Sequence, residues 1–306
     1  MNHKTQINYK AKVKLWEHGL PLPHKCLNVT SKAMTTAIND KKYSHMAKTY
    51  APKLTTTRGN SVQISNIEMY YEEYGVGKPL LLLHGFGGCS QNWHPFTAKL
   101  AEHYRLIVVD LRGHGHSTNP ENKFTHREAA NDVFLLLEKL GINHFSAMGM
   151  STGGMTLLHM ATSQPRRIDS MVLISTTSYF PDQARAIMRK ASFDTMPQEV
   201  REMYRECAKR GDEQIRGLIT QFNALHENYD DMNFTAQSLS TITARTLVVH
   251  GDRDNFFPVE IAVSIYHSIP DAALWIIPNG DHVPIYDSMV PFTSTALRFL
   301  DESDSR

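Results

Sequence analysis

The chain has 306 residues, 41% hydrophobic and 21% charged, which suits a soluble globular protein with a large buried core and excludes wholesale disorder. Its net charge of +1 argues against a surface built for nucleic acid, and no apolar run reaches the ~18 residues that a membrane-spanning helix needs. Three cysteines, Cys26, Cys89 and Cys207, show no CxxC spacing and are too few for a disulfide framework, so separate thiols in a reducing, cytoplasmic compartment are expected.

Charge divides the chain near residue 60. Residues 1–60 carry eleven Lys and Arg against two acids, Glu17 and Asp40, and the remainder is acidic. The segment has a basic start but no apolar stretch of signal-peptide length, and one arginine is few for a transit peptide. It reads as a basic N-terminal extension, partly disordered.

From there strands and helices alternate. Residues 61–65 and 67–74 read as two strands joined at Asn66. Continuous apolar runs at 79–83, 106–109, 145–148, 171–174, 247–249 and 274–277 suit strands buried on both faces. Helical periodicity fills the intervals: Ala130, Val133, Phe134, Leu137 and Leu140 share a face in 127–140, and 152–163, 258–268 and 290–300 read similarly. Such alternation implies a largely parallel sheet covered on both sides, with chemistry at the carboxyl ends of its strands. Residues 178–243 break the pattern with helical signal alone and read as a cap. The core is then 61–177 and 244–306.

The motifs fall at the strand ends. Gly149-Met150-Ser151-Thr152-Gly153 matches G-x-S-x-G between a buried strand and a helix, the strand–turn–helix setting that exposes a serine nucleophile. A serine hydroxyl needs a base, and the base an orienting acid. Each has one place downstream: Gly251-Asp252-Arg253-Asp254 after the strand at 247–249, and Gly280-Asp281-His282 after the strand at 274–277. Asp254 is preferred as the acid, Asp252 being assigned to shaping the turn; Asp281, next to the base, points elsewhere. An oxyanion needs donors, and His84-Gly85-Phe86-Gly87-Gly88 supplies a turn whose Phe86 N–H pairs with that of Thr152. That turn lacks the Lys and spacing of a phosphate loop. His114 and His116 form an H-x-H pair, read as a structural loop because no carboxylate cluster accompanies them. Phe180, Met188, Phe193, Met196, Met203, Tyr204, Phe222 and Met232 are assigned mainly to cap packing, a minority to a pocket, and Trp93 to helix packing.

With these residues in hand, the stretch from about 61 to 300 resembles the α/β-hydrolase superfamily, in its capped, esterase-like branch. The resemblance rests on HGFGG (84–88), DLRGHGHS (110–117), GMSTGG (149–154), GDRD (251–254) and GDH (280–282). It implies an α/β fold with a mostly parallel eight-stranded sheet, a helical cap after the sixth strand, and a triad of Ser151, Asp254 and His282. Ser151 stands where haloalkane dehalogenases and epoxide hydrolases carry aspartate, and the elbow also resembles that of cofactor-free haloperoxidases. The expected function is a serine hydrolase cleaving a small-to-medium carboxylic ester or lactone through an acyl-enzyme. Alternatives are a C–C bond hydrolase of ring-fission products, an amide or aminopeptidase-type hydrolase, an acyltransferase or perhydrolase, and a ligand receptor on a hydrolase scaffold. The expected partner is a small-molecule substrate, with no nucleic acid, cofactor or metal. Oligomeric state and substrate identity are left open.

Overall fold

The computed structural model describes residues 59–301. The basic N-terminal extension therefore lies outside the described residues, apart from Gly59 and Asn60. Eight strands form one sheet: β1 (Asn60–Ile64), β2 (Ile67–Tyr74), β3 (Lys78–Leu83), β4 (Tyr104–Val109), β5 (Phe145–Met150), β6 (Ile168–Ile174), β7 (Arg245–Gly251) and β8 (Ala272–Ile277). Their order is β1-β2-β4-β3-β5-β6-β7-β8. The pairs β1/β2 and β2/β4 are antiparallel; all others are parallel. Every strand expected from the apolar runs is present, most of them extended by a few residues.

The reason for continuous apolar strands is visible in β3 and β4. Leu81, Leu83, Ile107 and Val109 face one core, whereas Leu80, Leu82, Leu106 and Val108 face the other. A strand with covered faces above and below needs apolar residues at both parities. One face is covered by α2 (His126–Lys139), α3 (Thr152–Ser163) and α8 (Val259–Ser268); the opposite face by α1 (His94–Leu100) and α9 (Met289–Asp301). Thr125 caps α2, its hydroxyl accepting from the Glu128 N–H at 3.1 Å, a contact worth about 1 kcal/mol. Trp93 is fully buried in the second core beside Phe96, as the packing assignment expects.

Between β6 and β7 the chain makes α4 (Asp182–Lys190), α5 (Gln198–Cys207), α6 (Gly211–Ala224) and α7 (Ala236–Leu239), with no strand of the sheet among them. Phe193, Met196, Val200, Tyr204, Ile215 and Ile219 give this insertion a small core of its own.

One expectation is corrected. Cys89 and Cys207 are not separate thiols: they form a disulfide across 118 residues. The loop after β3 meets the C-terminal end of α5, a proximity that spacing along the chain does not reveal. The cysteine argument for a reducing compartment falls with it, because disulfides persist mainly in oxidising ones. Cys26 lies outside the described residues. No described helix is long and apolar enough to cross a membrane.

Candidate active site

The parallel register aligns the carboxyl ends of β3, β5, β6, β7 and β8 along one edge. Leu83 pairs with Gly149, Met150 with Ile174, and Gly251 with Ile277. The five loops that leave these strands are thereby gathered at one rim.

At the first of them, β5 ends at Met150 and α3 begins at Thr152, leaving Ser151 alone to reverse the chain. It does so at φ 49° and ψ −111°, a conformation L-residues rarely adopt. The turn is tight because strand and helix nearly touch. A Cβ on Gly149 would lie 2.5 Å from the backbone of Gly153 and Gly154, and one on Gly153 would lie 2.3 Å from the Leu83 carbonyl. The small residues around the serine are thus a packing requirement. The Ser151 N–H is held by the Ile174 carbonyl at 2.8 Å, and Ser151 is itself largely buried.

His282 follows β8 on a short loop. Its Nε2 lies 3.0 Å from Ser151 Oγ, and its Nδ1 lies 2.8 Å from Asp254 Oδ2. The three side chains, 151, 254 and 282, that strand-end position singled out are brought into one hydrogen-bonded row. Asp254 is buried, and its Oδ1 accepts from the N–H groups of Phe256 and Phe257 at 2.8 and 2.9 Å. Burial alone would raise its pKa. The imidazoles of His282 and His250 and these donors outweigh burial and hold the carboxyl below the ordinary carboxylate range. Asp252 is not part of the row; its carboxylate lies 3.9 Å from the guanidinium of Arg253.

Sequence reasoning missed the supports. Val283, beside the histidine, has φ 58°, which a β-branched residue tolerates poorly, and its N–H donates to Ser175 Oγ at 2.9 Å. His250 donates from Nε2 to the Phe257 carbonyl at 2.9 Å, tying the acid-bearing turn to β7; burial depresses its pKa. Neither role carries a motif, because each depends on two loops meeting.

Phe86 sits in the turn after β3, closed by the Gly88 N–H on the Gly85 carbonyl at 3.0 Å. Thr152 is the first residue of α3, where the helix offers its N–H no acceptor. Both residues, with Ser151 and His282, line a cavity of about 250 Å³. The insertion supplies much of the remaining wall: Phe180, Met188, Met203, Tyr204 and Phe222 of the residues considered above, but not Phe193, Met196 or Met232. Tyr204 lies so close to the turn after β3 that a Cβ on Gly87 would meet its ring at 2.5 Å. Burial pushes the Tyr204 phenol up to about 12, so it stays neutral. No Lys or Arg contributes to the wall among the described residues. His114 supports the same turn from behind, its ring edge-on to Phe86 at 4.9 Å, and burial first, then the neighbouring His84, lowers it to about 3. No group of three metal-ligating side chains occurs among the described residues.

Comparison with known proteins agrees with this fold. The family model described as alpha/beta hydrolase fold matches residues 78–206. The chain is 25% identical over 261 residues to a pimeloyl-[acyl-carrier protein] methyl ester esterase of Nitrosospira multiformis, covering 77% of this chain and 99% of that one. It is 24% identical over 259 residues to a 2-hydroxy-6-oxo-6-(2'-aminophenyl)hexa-2,4-dienoic acid hydrolase of Metapseudomonas resinovorans, covering 78% of this chain and 89% of that one. Among solved structures, a thermophilic esterase from Thermogutta terrifontis superposes with a TM-score of 0.67 at 22% identity, covering 80% of this chain and 99% of that one. Sheet order, strand-end loops, family-model match and relatives converge: the chain is a hydrolase with the alpha/beta-hydrolase fold.

Proposed function

We propose that the protein is a serine hydrolase of small-to-medium carboxylic esters, working through an acyl-enzyme. The observation that carries this reading is the unbroken row Ser151 Oγ–His282 Nε2, His282 Nδ1–Asp254 Oδ2, at 3.0 and 2.8 Å. His282 takes the Ser151 proton as Oγ attacks the ester carbonyl. Asp254, kept ionised, fixes the imidazole with Nε2 free to accept and stabilises the imidazolium that forms. The N–H groups of Phe86 and Thr152 receive the oxyanion, in a place where losing one donor costs roughly 2.7–4 kcal/mol. His282 then protonates the leaving alcohol and activates water to release the acid. Residues 178–243 act as the cap over this site.

The wall favours esters over acidic ring-fission products. A dienoic acid carries a carboxylate, and desolvating one without a cationic partner is expensive. The described wall offers mainly apolar side chains and no Lys or Arg. The methyl ester esterase among the relatives is in keeping with this preference.

A fluorophosphonate probe should modify one serine, mapping to Ser151, and block hydrolysis of p-nitrophenyl esters of graded acyl length. Labelling elsewhere, or ester turnover undiminished in Ser151→Ala, refutes the assignment. A dienoate cleaved faster than any ester would replace the substrate class and leave the nucleophile standing.

A further inference from the structure

The cavity wall holds a second buried imidazole that the row of Ser151, His282 and Asp254 does not use. His126 is the first residue of α2, and its ring is fully buried. Its Nδ1 lies 2.6 Å from Oδ2 of Asp231, which also accepts from the His126 N–H at 2.8 Å; Asp231 Oδ1 accepts from the Arg127 N–H at 3.1 Å. Asp231 comes from the stretch between α6 and α7, so this contact joins the core to the insertion across 105 residues.

Burial would raise the Asp231 carboxyl, but the bonds from His126 and His159 dominate and hold it far below the ordinary range. It is therefore an acceptor, and the His126 nitrogen that faces it, Nδ1, carries a proton. Nε2 is buried and without a hydrogen-bond partner among the described residues. The same wall carries Phe180, whose ring centroid lies 5.8 Å from that of His126, and Met155, Ile187, Met188 and Leu225, none with a polar hydrogen in its side chain. A buried ring nitrogen that nothing in the protein satisfies discriminates between ligands that pair with it and ligands that do not.

We propose that His126 determines specificity: its Nε2 accepts a hydrogen bond from an O–H or N–H group on the acyl part of the substrate. The preferred esters are then those whose acyl chain carries a hydroxyl or an amide, not plain hydrocarbon chains. This rests on the ester-hydrolase reading of the same cavity.

The test compares kcat/KM for p-nitrophenyl octanoate with its positional hydroxy isomers and with an N-acylamino ester of equal length, the two arms separating hydroxyl from amide donors. The wild type should favour at least one donor-bearing ester by about tenfold or more. His126→Asn keeps an Nδ1-like donor for Asp231 while deleting the Nε2 acceptor, and should bring that ratio within twofold of unity. His126→Leu, which removes both, should do the same if it folds. The same ratios read as Kd for the matching methyl esters on Ser151→Ala decide the matter without turnover. If no ester is hydrolysed, the ester reading falls while these Kd ratios still judge His126. A wild-type preference below twofold in both measurements, or one that survives in His126→Asn, overturns the proposal.

Discussion

The sheet rim and the helical insertion meet in one cavity but are built on different principles. At the rim, position is dictated by backbone: Ser151 sits at φ 49° and ψ −111°, Val283 is held in the left-handed region, and a Cβ on Gly149 or Gly153 would lie 2.3–2.5 Å from other backbone. Nothing there can move without moving a strand. In the insertion, helices present Met188, Met203, Tyr204 and Phe222, and methionine in particular fills irregular space through several rotatable bonds. The difference teaches that the proposed chemistry is fixed by the register of a parallel sheet, whereas much of the cavity's shape is left to side chains of the insertion. Links that cross the divide include the Cys89–Cys207 disulfide, the His126–Asp231 bond and the bonds from Arg210 and Gln214 to the Gly113 carbonyl.

That division can be broken by experiment, beginning with the rim. Ser151→Ala and Asp254→Asn should each lower ester kcat by about 10⁴-fold or more, roughly 5.5 kcal/mol of barrier, with unchanged circular dichroism. A loss under tenfold in either would mean that the rim is not where bonds are broken.

Next in size is the covalent link. Closing a loop of this length stabilises by about 2–5 kcal/mol, so Cys207→Ser, or treatment with a dithiol, should lower the urea midpoint correspondingly. An unmoved midpoint would show that the insertion holds its place through packing alone.

A third experiment uses pH. The buried His114 binds no proton in the folded chain until about pH 3, whereas in the unfolded chain it binds one below its ordinary value near 6.5. The unfolded state therefore binds more protons between these limits. Stability from this group is complete above about pH 6.5 and is lost as pH falls toward 3. At pH 5 the loss is about 2 kcal/mol relative to neutral pH. In His114→Gln the difference between the pH 7 and pH 5 unfolding free energies should shrink by that amount; an equal slope in both proteins would exclude this histidine as its source.

The smallest effect belongs to the insertion. Met203→Ala should shift the preferred acyl length toward longer chains and change the ratio of long- to short-chain kcat/KM by about tenfold, while fluorophosphonate labelling of Ser151 proceeds as before. A change in labelling rate instead would mean that the insertion also shapes the rim.

Much of this was legible without coordinates. Apolar runs such as 79–83 and 171–174 declared strands with two covered faces, and elements following Ser151, Asp254 and His282 in the right chain order identified the residues now found in one row. The Trp93 assignment held for the same reason: a large apolar residue after a strand has few places to go but the core. The cysteines were misjudged because their partnership depends on where α5 ends relative to the loop after β3. His126 drew no notice among sixteen histidines, since its meaning lies in a carboxylate 105 residues away.

The sequence by itself determined the alternation of strands and helices, the fold class, and which residue types stand at the strand ends, because these follow from local periodicity and from motifs a few residues long. Only the tertiary structure decided the 3.0 Å approach of His282 to Ser151, the bridging of Cys89 to Cys207, and the composition of the cavity wall. Those are contacts between segments about a hundred or more residues apart, and chain order carries no distance information across loops of that length.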